Sequence, residues 1–89
     1  MTERVDLRDF LAGFIAESDE LIAAANAALL EIETANLAGA TQPGAVRELF
    51  RALHTIKGLA GMIGVEPIVE VAHGLEGLVR AADLAGGAL

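Results

Sequence analysis

Apolar residues recur every three or four positions along most of this chain, and no stretch alternates apolar with polar residues as a half-buried strand would. That period belongs to helices that bury one stripe. The first run covers about residues 7–35, with Leu7, Phe10, Leu11, Phe14, Ile15, Leu21, Ile22, Ala25, Leu29 and Ile32 on the stripe and Asp6 before it as N-cap. The segment Leu37-Ala-Gly-Ala-Thr-Gln-Pro-Gly44 joins a helix stop to a restart, because the fixed φ of Pro43 suits a first helical turn. A second helix follows over about 44–62, with Val46, Leu49, Leu53, Ile56 and Ala60 as its stripe. A third covers about 67–85, opened by Pro67 and ended by Gly86-Gly87, with Ile68, Val71, Ala72, Leu75, Leu78, Val79 and Ala82 facing inward. The expected fold is all-α, three antiparallel helices in a single domain over 1–89.

Composition narrows what such a domain can do. With 54% hydrophobic but 3% aromatic residues and no cysteine, the core is aliphatic, and disulfides and thiolate metal sites are excluded. No signal-like segment and no apolar run long enough to span a bilayer is present, so a soluble, cytoplasmic domain without membrane insertion is expected. The net charge of −7 argues against nucleic acid, whose phosphates require clustered Lys and Arg. Within residues 37–64 the balance reverses: Arg47, Arg51 and Lys57 outnumber Glu48. Such a patch attracts an anionic ligand or an acidic partner, although three charges also make an ordinary solvated helix face.

His54 stands in that patch. At about 100° per residue it lies roughly 110° off the apolar stripe of the second helix, at the rim of the core. Gly58 and Gly61 fall within about 40° of it, so the next two turns leave the ring unshielded. Glycine inside a helix costs roughly 0.5–1 kcal/mol relative to alanine. Two glycines beside one histidine therefore suggest a ring kept open to a large partner. Close helix packing, or a helix that ends at Gly58, would also account for them. Short connections make successive helices antiparallel neighbours. His54 is eleven residues before Val65 and Glu76 eleven after it, and the Glu76 side chain points to the same side of the pair. A carboxylate there fixes the histidine tautomer and leaves the other ring nitrogen as a nucleophile. Lys57, one turn along, can steady phosphoryl oxygens. An ordinary interhelical hydrogen bond is the alternative reading of the pair.

The sequence His54-Thr-Ile-Lys57-Gly58-Leu-Ala-Gly61, followed by Ala72-His73-Gly-Leu-Glu76, resembles the histidine-containing phosphotransfer (HPt) domain, in particular the N-terminal domain of chemotaxis-type histidine kinases. Leu7-Arg-Asp-Phe10-Leu-Ala-Gly-Phe14 and Leu49-Phe50-Arg51-Ala52-Leu53 are similar to that family too, so the resemblance covers essentially the whole chain. It implies that His54 is phosphorylated, that Lys57 is its electrostatic helper and that Glu76 orients it. Arg47, Arg51, Gly58 and Gly61 would face the partner protein, and His73 would be a bystander in packing or polar contact. The implied partners are a kinase catalytic domain, which uses ATP and Mg²⁺, and a response-regulator receiver domain whose aspartate takes the phosphoryl group. The domain itself would hold no cofactor or metal and would be a shuttle, not an enzyme. Family members close a four-helix bundle, whereas three helices are legible here. The chain is then expected to be truncated or naturally short, with the fourth surface supplied by a partner or by a second copy in a homodimer.

Other readings have smaller footholds. Gly58, Gly61 and Gly64 follow Lys57 and lie in or at the end of a helix, which is not the arrangement of a phosphate-binding loop. Glu70-Val-Ala-His73 has the Glu-x-x-His spacing of di-iron bundles, but Arg51 stands where a second such motif at His54 would need glutamate. A non-catalytic helical dimerisation module remains the alternative, and in it His54 would be replaceable.

Overall fold

The computed structural model describes residues 7–88, with the side chain of Leu7 left out. It contains three helices: α1 (Leu7–Leu37), α2 (Pro43–Ile63) and α3 (Glu66–Leu84). The Asp6 cap lies outside the described residues.

Local sequence sets the breaks between them. Pro43 occupies the first turn of α2, where its missing N–H costs nothing. At the other end Gly64 takes φ +78°, a left-handed conformation that favours glycine, and the Val65 N–H donates to the Ala60 carbonyl at 2.9 Å. That turn is only two residues long, and α3 starts at Glu66 with Pro67 in its first turn. After α3, Gly87 (φ +93°) is buried, and its N–H donates to Ala82 O at 2.8 Å. A Cβ there would come within 3.0 Å of Pro43 Cα. The end of α3 thus closes tightly on the start of α2.

Central α2 packs against both neighbours, while no Cα of α1 comes within 8 Å of one in α3. The core joins Ala28 and Ile32 of α1, Ala45, Val46, Leu49 and Leu53 of α2, and Val79 and Ala82 of α3. Val46 is completely buried.

The expected stripes of α1 and α3 divide in two. On α1, Ile32 is buried and Phe14, Leu21 and Ala25 are half-buried, but Phe10, Leu11, Ile15, Ile22 and Leu29 are exposed. On α3, Ala72, Val79 and Ala82 are buried, whereas Ile68, Val71, Leu75 and Leu78 are exposed. The sequence pattern cannot tell these sets apart, since both are apolar and adjacent. Phe10 apart, the exposed set lies about 75° around α1 and about 50° around α3 from the buried one, in opposite senses on the two helices. Because α1 and α3 run parallel on either side of α2, opposite senses bring both sets to the same open side of the molecule.

Candidate functional site

The helical register of α2 carries Phe50, His54, Lys57 and Gly61 along the flank that faces away from the open apolar side. From α3, Glu76 enters between them. It is the buried charged residue of the described chain, its side chain 9% exposed against 65% for His54. The His54 Nδ1–H donates to Glu76 Oε1 at 3.1 Å, with Oε2 at 3.4 Å. This tautomer leaves the Nε2 lone pair free, and no hydrogen bond from a described residue occupies it.

Lys57 also binds Glu76, its Nζ 2.8 Å from Oε1 and 3.0 Å from Oε2. The sequence placed this lysine where it could meet phosphoryl oxygens; here its ammonium is held by the carboxylate. Burial pushes the Glu76 carboxyl pKa up, but the hydrogen bonds from Lys57 and His54, and the charges of both, outweigh burial and hold it below the ordinary value of 4.5. An ionised acceptor behind Nδ1 keeps the tautomer fixed and meets any positive charge that develops on the ring.

Gly58 and Gly61 are exposed within the continuous helix, not at its end, and a Cβ on either would meet nothing within 4 Å. Neither has a positive φ or a close neighbour, so the packing explanation of these glycines fails and the open ring face remains. Arg47 and Arg51 are exposed on the same side of α2. Arg51 loosely pairs with Glu48 at 3.9 Å, a solvated contact of little energetic weight. His73 is exposed and makes no hydrogen bond with a described residue, so it has neither the packing nor the polar contact expected of it.

Sequence reasoning missed Phe50. Its ring stacks on His54 with centroids 6.2 Å apart and planes 9° from parallel. The signal was present in the i, i+4 spacing of the two residues, which places them one above the other on a helix. Among the described residues no three His, Cys, Asp or Glu side chains gather as metal ligands, and no helix is long and apolar enough to cross a membrane.

The chain is 38% identical over 74 residues to the chemotaxis protein CheA of Halobacterium salinarum, covering 80% of this chain and 10% of that protein. It is 33% identical over 72 residues to CheA of Rhizobium meliloti, covering 81% and 9%, and 32% identical over 77 residues to CheA of Bacillus subtilis, covering 86% and 11%. The chain therefore spans about a tenth of the length of these relatives. No solved structure matches it significantly. The family model for the Hpt domain matches residues 9–88, nearly the whole chain and all the residues around His54, and the chain belongs to that family.

Proposed function

We propose that this chain is the phosphocarrier of a chemotaxis-type two-component pathway, with His54 as the residue that carries the phosphoryl group. Nε2 attacks the γ-phosphorus of ATP held with Mg²⁺ by a separate kinase domain. The N–P bond forms as the bond to the ADP oxygen breaks. Nδ1–H stays bonded to Glu76 throughout, so the positive charge gained by the ring develops against an ionised carboxylate. In the second step a carboxylate oxygen of a receiver-domain aspartate attacks the same phosphorus, and the electron pair of the N–P bond returns to Nε2. The observation that carries this reading is the Nδ1–Glu76 hydrogen bond behind a ring that is two-thirds exposed. The setting is the cytoplasm, where ATP is available.

Incubation with a chemotaxis-type kinase core and ATP tests it. Acid-labile, base-stable phosphate should appear on the wild-type chain and be absent from His54→Gln, while helicity by circular dichroism stays the same. Labelling of the mutant, at His73 or elsewhere, would overturn the assignment.

A further inference from the structure

Arg80 is an exposed arginine of α3, one turn beyond Glu76, that forms no ion pair or hydrogen bond among the described residues. Together with Phe50 it separates two adjoining hollows. The first, of about 180 Å³, is bounded by Phe50, His73, Glu76, Gly77 and Arg80. The second, of about 160 Å³, lies between Phe50, Arg80 and Asp83. Each is large enough for one side chain of a partner. Phe50 is shared by both hollows and stacks on the His54 ring, so they lie directly beside the reacting residue.

Charge decides what such a surface attracts. Lys57 is neutralised by Glu76 and Arg51 is partly offset by Glu48. Arg47 and Arg80 remain as the uncompensated cations around His54, in a chain of net charge −7. The facing groups are Glu76, whose charge is taken by Lys57 and His54, His73, and Asp83, which lines the same hollow as Arg80 but stays beyond ion-pair range of it.

We infer that Arg80 and the Phe50 floor form a docking shelf for the protein that takes phosphate from His54, with Arg80 pairing to a carboxylate on its acidic acceptor surface. The inference rests on the phosphocarrier reading, in which the acceptor is an aspartate of another protein, and an exposed cation beside His54 pairs most favourably with an acidic group flanking that aspartate. A kinase-bound nucleotide would present phosphates to the ring face itself. Two hollows of side-chain size beside the ring suit a protein surface instead.

The test uses the full chain phosphorylated at His54 and a chemotaxis-type receiver domain, with Mg²⁺, that drains phosphate from the wild-type chain. In single-turnover transfer, Arg80→Gln should raise the half-saturating receiver concentration about tenfold, the loss of one favourable charge pair. The plateau rate should be unchanged, Arg80→Glu should be worse, and Arg80→Lys should recover most of the loss. Labelling of His54 by the kinase core should be the same in all variants. Wild-type half-saturation in Arg80→Glu would overturn the inference while leaving the phosphocarrier reading intact, and so would a defect confined to the kinase step. Failure of the wild-type chain to label at His54 would remove both.

Discussion

The Lys57 ammonium lies 2.8 Å from the Glu76 carboxylate, closer than the 3.1 Å separating that carboxylate from the His54 ring. One buried acceptor thus serves two donors from successive turns of α2. Lys57 keeps Glu76 ionised, and Glu76 in turn keeps His54 in a single tautomer. The lysine acts on the histidine through the carboxylate.

A double-mutant cycle follows from this chain of contacts. Glu76→Ala should slow phosphorylation of His54 by up to the roughly 10²–10⁴-fold of a positioned proton-handling group. Lys57→Met should cause a smaller loss, and the double mutant should be no slower than Glu76→Ala, because groups in one network are not additive. Phosphorylation rates of the four proteins with one kinase core decide it. A double mutant slower by the product of the single losses would show that Lys57 acts directly on the phosphoryl oxygens.

Acid sensitivity should trace to the same carboxylate. The Glu76 pKa is depressed in the folded state, so its contribution to stability is present above the ordinary value of 4.5 and is lost as pH falls through the lowered folded value. Urea unfolding of wild type and Glu76→Gln should therefore show wild type more stable at pH 6, with the gap closing below pH 4. A gap of the same size at pH 3 would mean that the charge of Glu76 is not what stabilises the fold.

Gly58 and Gly61 make a prediction about stability set against function. Since a Cβ at either meets nothing within 4 Å, alanine should raise stability by about 0.5–1 kcal/mol each. That corresponds to a Tm increase of about 2–8 °C for a domain this small. A long side chain such as glutamate at Gly58 should keep the fold and impede transfer to the receiver. Thermal melts and single-turnover transfer on Gly58→Ala and Gly58→Glu give the two readouts, and an alanine variant that melts lower would show that the glycine serves packing after all.

What the sequence disclosed, and what it did not, follows from the range of the forces involved. Helix positions were legible to within two residues because Pro43, Gly64, Pro67 and Gly86 act locally. The His54–Glu76 pair was legible because a two-residue turn fixes the register of α2 against α3. The choice of Lys57 partner was not, since a long flexible side chain reaches both the ring face and the carboxylate, and burial of Glu76 decides between them. Nor could periodicity say which half of the α1 and α3 stripes meets α2, because that depends on where a third element stands.

The exposed halves of those stripes lead to the last prediction. Leu11, Ile15, Ile22 and Leu29 of α1 and Ile68, Val71, Leu75 and Leu78 of α3 are each between 42% and 66% exposed, all toward the open side. Their apolar surface amounts to something on the order of 600 Å² per copy, at the upper end of what a soluble monomer exposes in one patch and close to the roughly 800 Å² per partner of a standard interface. Residues 1–89 should therefore associate through this side, as a two-fold symmetric dimer in which each copy covers the other. His54 lies more than 100° around α2 from the centre of the core stripe, so it stays outside the contact and remains open to phosphorylation. Sedimentation at micromolar concentration should show a dimer for the wild-type chain and a shift toward monomer for Leu75→Lys, whose charge would sit in the middle of the contact. A wild-type chain that sediments as a well-folded monomer across that range would refute the dimer.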